Sequence, residues 1–142
     1  MMSLCAFSKL IMLPAVIYSI FLPLKLRTIW FYIGLPITLI GMLTSTIVLL
    51  NWANTPPGEP VTRGLYTYSR HPMYITTFLF FLGVSITSAS SVFLLVAIII
   101  IVGAVVFIGV EEEQCLKKYG NVYLEYMDRT PRWAGIPKSK KK

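Results

Sequence analysis

A chain of 142 residues that is 56% hydrophobic and 13% charged, with a mean hydropathy of +0.70, is too apolar for a soluble domain. It could not bury those side chains in so small an interior. The net charge of +7 fits a membrane protein whose basic segments face anionic headgroups; nucleic acid is a poor alternative partner, since no binding module surrounds the lysines.

The first apolar run, from about Leu4 to Leu22, carries Lys9 and Pro14 inside it and lacks a small-residue cleavage site, so it reads as a retained helix rather than a leader. Pro23, Lys25 and Arg27 mark its exit. A second span is expected from about Ile29 to Leu50, where Gly41, Thr44 and Ser45 permit close helix contact. Then comes the polar stretch Asn51 to Pro72. Its "NTPPGEP" (54–60) excludes helix and paired strand, because Pro56, Pro57 and Pro60 lack donors. A loop this long in a small domain is usually functional or disordered, and the aromatic residues of "VTRGLYTYSRHP" favour function.

A third span starts at Pro72 or Met73 and reaches about Ser88, and "TSASS" (87–91) allows only a tight helical hairpin into a fourth, Ser91 to Gly109. Beyond it, Glu113–Lys117 and Glu125–Arg129 are helix-supporting pairs with the acid first. Gly120-Asn121 ends one helix and begins another. Leu116, Tyr119, Tyr123 and Tyr126 recur at helical spacing and read as an interfacial belt, with Trp52 and Trp133 as anchors. The expected fold is all-α: one polytopic membrane domain over 1–142, with about four transmembrane helices and a C-terminal amphipathic interfacial segment. Within it, 1–50 forms a helical pair, 51–133 the core of the site and 134–142 a basic tail. That tail, with Lys138, Lys140, Lys141 and Lys142, is expected in the cytoplasm of a prokaryotic plasma membrane or the endoplasmic reticulum, together with the 51–72 loop. Cys5 and Cys115 suggest neither a disulfide framework nor a metal site.

Two stretches carry chemistry. In Arg70-His71-Pro72 the proline suits a first helical position, which leaves His71 at the cap beside unpaired backbone N–H groups, an anion-friendly corner. Glu111, Glu112 and Glu113 follow directly on the most apolar helix and, at its C-terminal side, require a cation. A site with both demands suits a zwitterion bearing extra positive charge, and S-adenosylmethionine is one.

"PVTRGLYTYSRHPMY" (60–74), followed after two apolar runs by "EEEQCLKKYGNVYLEYMDRTPRW" (111–133), resembles the isoprenylcysteine carboxyl methyltransferase superfamily, which includes phospholipid methyltransferases. Both blocks have the order and spacing of that pattern, over about the C-terminal 85 residues. The resemblance implies an integral membrane methyltransferase using S-adenosyl-L-methionine and no metal, with a membrane lipid or a lipidated or small apolar acceptor. It places the cofactor against Glu59, Pro60, Val61, Tyr66, His71, Pro72, Met73, Tyr74, Glu111 and Glu112, and assigns acceptor orientation to Arg129 or Arg132. Glu113 lies beyond the acidic pair. A histidine often stands in the family where this chain has Glu59, and the N-terminal half matches nothing specific. The acceptor therefore stays open between a prenylcysteine carboxylate, a phospholipid amine and a small apolar thiol. A non-catalytic small helical membrane protein is the alternative of another class.

Overall fold

The structure is a computed structural model that describes residues 28–138. The expected first span, Leu4 to Leu22, and the lysines at 140–142 lie outside these residues. Helices dominate: α1 is Ile29–Ala53, a 3-10 turn spans Gly64–Thr67, α2 is Pro72–Ser88, α3 is Ser91–Tyr119 and α4 is Asn121–Arg129. No strand occurs among the described residues. α1 and α3 are long and apolar enough to cross a membrane, whereas α2, at 17 residues, is a shorter apolar helix.

Local chemistry sets these limits. Pro72 takes the first helical position of α2, and His71 before it is held out of helical geometry at φ −128° and ψ 53°. α2 closes where Ala89 turns left-handed (φ 48°), while the Ala89 and Ser90 N–H groups return to Ile86 O at 3.2 Å and Ser85 O at 3.0 Å. With so short a connection, α3 must run back antiparallel to α2. The sequence reading stopped the fourth span at Gly109, but the helix continues unbroken to Tyr119. Gly103 and Gly109 have open space beside them and interrupt nothing; the break comes at Gly120, where φ is 57°. From Ser91 to Val110 the apolar part of α3 is about 30 Å long at 1.5 Å per residue, the thickness of a hydrocarbon core. Glu111 and Glu112 thus fall just past the apolar part.

α1 and α2 pack backbone against backbone. A Cβ on Gly41 would sit 2.6 Å from Phe80 Cα, and one on Gly83 would sit 2.5 Å from the Thr38 backbone nitrogen. Gly34 meets Thr87 in the same way, so the order 34–87, 38–83, 41–80 fixes an antiparallel register. Two hydroxyls of this seam turn back onto their own helices: Thr38 Oγ1 donates to Gly34 O at 2.9 Å and Thr87 Oγ1 to Gly83 O at 2.8 Å. α2 and α3 meet through Phe81, Phe93 and Ala97, with the first two rings stacked at 6.1 Å. Opposite faces expose Leu39, Leu43 and Leu50 on α1 and Leu95, Val102 and Val106 on α3, as suits side chains that meet lipid. Because the Gly83 contact is backbone, it cannot yield. Gly83→Val is expected to lower stability by about 1–3 kcal/mol through overpacking, and Gly103→Ala to leave the thermal midpoint in detergent unchanged or higher. Equal midpoints for wild type and Gly83→Val would remove the close seam.

The antiparallel course brings the end of α1, the start of α2 and the polar end of α3 to one side of the molecule. The 54–71 loop, α4 and residues 130–138 gather there. A cavity of about 240 Å³ lined by Trp30, Ser85, Ser91 and Leu94 among others lies at the opposite end of α2, about 25 Å from the loop side by helix rise.

Candidate active site

The site is assembled where α2 begins. Ser69 Oγ accepts the His71 backbone N–H at 3.1 Å, so the residues before Pro72 form a compact cap with the imidazole buried at 6% exposure. Glu111 and Glu112, adjacent on α3, reach the ring from either side: His71 Nε2 lies 3.3 Å from Glu112 Oε1, and Nδ1 lies 3.6 Å from Glu111 Oε2. Tyr74, nearly one turn further along α2, donates its hydroxyl to Glu111 Oε2 at 3.2 Å.

Two arginines complete the cluster. Arg132 grips Glu112 with both edges of its fork, Nη2 to Oε2 at 2.6 Å and Nε to Oε1 at 3.3 Å. Arg70, 11% exposed, brings Nη1 to 2.8 Å from Glu112 Oε1 as an ion pair without hydrogen-bond alignment, and its Nε has no hydrogen-bond partner. Residues 130–138 form a strap across the loop. Arg70 N–H donates to Pro131 O at 3.0 Å, Gly135 N–H to Tyr68 O at 3.0 Å, and Ser69 Oγ to Arg132 O at 3.4 Å. Beneath it, the Tyr126 hydroxyl donates to Tyr66 O at 2.7 Å, tying α4 to the 3-10 turn.

Burial and charge set the protonation states. Burial pushes the Glu112 carboxyl up, but the contacts from Arg132, Arg70 and His71 outweigh it and leave the group below its ordinary value. Burial pulls the His71 imidazole below its ordinary value, more than the flanking Glu111 and Glu112 raise it. Burial, with help from Glu111, pushes the Tyr66 phenol up to about 12. The Cys115 thiol is also pushed up, first by burial and then by Glu111, which makes it a poor nucleophile.

Of the residues singled out from the sequence, His71, Tyr74, Glu111, Glu112 and Arg132 meet in one cluster. Pro72 is buried at the helix start, Tyr66 is buried beneath the loop, and Met73 is exposed. Glu59 is exposed and Pro60 and Val61 half-buried in the loop ahead of the 3-10 turn. Arg129 does not join the cluster; it pairs with Glu125 of its own helix at 3.1 Å on the surface. Glu113 likewise faces outward to Lys117 at 2.7 Å. Tyr123 and Tyr126, read as a membrane-interface belt, are instead buried at 5% and 8% exposure, because α4 folds its aromatic face inward. Arg70 is the functional candidate the sequence reading left out of the site. Its signal was the position directly before His71, opposite a surplus of carboxylates.

Comparison with known families supplies the class. The profile described as phospholipid methyltransferase matches residues 29–122, from the start of α1 into α4. The chain belongs to this family, and is therefore a methyltransferase associated with membranes. Neither the curated proteins nor the solved structures contain a match.

Proposed function

We propose that the protein transfers a methyl group from S-adenosyl-L-methionine to an acceptor held in the membrane, at the charged end of the helix bundle. The observation that carries this reading is the cluster itself: a half-open Glu111 carboxylate against His71, and across Glu112 a largely buried Arg70 with an unused donor, at the level where α3 leaves its apolar stretch. A zwitterion that is also a sulfonium needs both kinds of partner, so these residues fit the group.

When bound, that cofactor supplies a methyl already activated on sulfur. The protein then needs alignment and exclusion of water rather than a metal or a covalent nucleophile. Glu111, oriented by the Tyr74 hydroxyl and His71, faces the positive end of the donor; Arg70 and the cap at His71-Pro72-Met73 face its carboxylate. Tyr66 and the Glu59-Pro60-Val61 segment form the loop wall. Arg132, with its side chain 50% exposed beside the cluster, orients an acceptor through an anionic group, a role for which Arg129 is less well placed. For an amine acceptor, Glu111 is the nearest open carboxylate to take the proton that leaves nitrogen.

The family description favours a phospholipid amine as acceptor over the prenylcysteine carboxylate suggested by the motif pattern. For topology we take α1, α2 and α3 as spans. Lys117, Lys118, Arg129, Arg132 and Lys138 then put the site end in the cytoplasm. The test is calorimetric titration of S-adenosylmethionine into the purified full-length chain, followed by methyl transfer into phosphatidylethanolamine vesicles or a farnesylcysteine analogue. Saturable binding is expected, about tenfold or more weaker in Glu111→Gln, as for loss of a charge-assisted contact. A folded wild type that does not bind the donor ends this reading and leaves a non-catalytic membrane protein.

A further inference from the structure

Glu111 and Glu112 are neighbours on α3, yet their surroundings differ in kind. Glu112 is buried at 3% exposure, and four nitrogen contacts already meet its oxygens: Arg70 Nη1 at 2.8 Å, His71 Nε2 at 3.3 Å, and Arg132 Nε and Nη2 at 3.3 and 2.6 Å. With three of these nitrogens at Oε1, Arg132 Nη2 on Oε2 and the side chain only 5% exposed, Glu112 presents little open oxygen surface to an incoming ammonium. Glu111 differs. Its side chain is 39% exposed, and the contacts from Tyr74 and His71 both fall on Oε2.

The partner of Glu112 also matters. Arg132 lies on the strap, where Thr130 is buried and Pro131, Trp133 and Pro137 are half-buried but residues 134, 135 and 136 are exposed. The strap's hydrogen-bonded hold on the loop is a few backbone and hydroxyl contacts. Segments held by so few hydrogen bonds open locally unless something pins them. The bidentate Arg132–Glu112 pair is the pin, since it joins the strap to α3 at the only acid of that helix turned fully inward.

We propose that the two acids divide the work: Glu111 faces the methyl donor, while Glu112 is a positioning residue that clamps Arg132, and with it residues 130–138, over the loop before α2. The first half rests on the methyl-transfer reading; the clamp does not. Glu112 thereby acts through Arg132, which it holds at the mouth of the site instead of letting it sweep through solvent.

The experiment combines hydrogen exchange, followed by mass spectrometry on the full-length chain in lipid nanodiscs without donor, with calorimetric titration of S-adenosylmethionine. In Glu112→Gln and in Arg132→Gln, amides of 130–138 are expected to exchange about tenfold faster or more than in wild type. Lys117→Gln, which breaks an exposed pair elsewhere on α3, leaves them unchanged, and Arg132→Lys, which keeps the charge but not the two-edged grip, retains only part of the protection. Glu111→Gln keeps wild-type exchange but binds the donor about tenfold more weakly, whereas Glu112→Gln holds its affinity within about threefold. If Glu112→Gln does not fold, Arg132→Gln, altered at a half-exposed side chain, decides the clamp by itself. Strap exchange unmoved by Arg132→Gln overturns the clamp, as does a Glu112→Gln variant that loses donor binding like Glu111→Gln with its strap still protected. A wild type that binds no donor removes the role of Glu111 together with the methyl-transfer reading, and the exchange arm still decides on Glu112.

Discussion

Glu112→Leu is expected to lower stability by about 3–5 kcal/mol, the range for removing one partner of a buried ion pair. The cost does not come from the contact alone. Leucine fills much the same volume, but it leaves the guanidinium of Arg70 at 11% exposure with no anion beside it, and it frees Arg132. An uncompensated buried charge is what makes such a change severe. The reasoning has a sharp consequence: Arg70→Leu combined with Glu112→Leu should recover part of the loss, because the orphaned cation goes with its partner. Next door, Glu113→Leu removes an exposed pair with Lys117 and should leave the thermal midpoint nearly unchanged. Thermal unfolding of the purified chain in one detergent measures all of these. A double variant less stable than Glu112→Leu would show that the arginine is worth more than its charge balance, and the electrostatic account would fail.

The difference between Glu112 and Glu113 shows where sequence reading succeeds and where it stops. Three consecutive glutamates after an apolar helix demand cations, and the chain provides them: Lys117 to Glu113 along the helix, Arg132 to Glu112 across the fold. The first pairing is legible from i,i+4 spacing, as is Glu125–Arg129. The second spans 20 residues and depends on the chain leaving α4 at Thr130-Pro131 and returning across the loop, which no periodicity announces. For the same reason Arg129 and Arg132 looked equivalent in sequence, although one points along its own helix and the other into the cluster. Limits set by local chemistry were readable: Pro72 starts α2, Ser88 ends it and Ser91 starts α3. The inward turn of Tyr123 and Tyr126 was not, since an amphipathic aromatic stripe fits a membrane surface and a protein surface equally well. His71 with the acidic pair was recoverable because each side lacked what the other supplies.

Acidification is expected to weaken the fold in two steps of the same sign. His71 has a folded-state pKa below its ordinary 6.5, since burial disfavours the imidazolium more than Glu111 and Glu112 favour it, with Arg70 adding to the burial effect. As pH falls below about 6.5, the unfolded chain takes up a proton that the folded chain refuses, so stability declines until His71 itself titrates. Glu112 follows. Burial raises its carboxyl, but Arg132, Arg70 and His71 bring it below its ordinary 4.5, so its contribution is complete above about 4.5 and is lost as pH drops through the folded value. The thermal midpoint should therefore rise with pH from about 4 to 7. His71→Asn should lack the upper step and Glu112→Gln the lower. A wild-type midpoint that is flat between about pH 5 and 7, matching His71→Asn throughout, would mean that the buried ring is not held neutral.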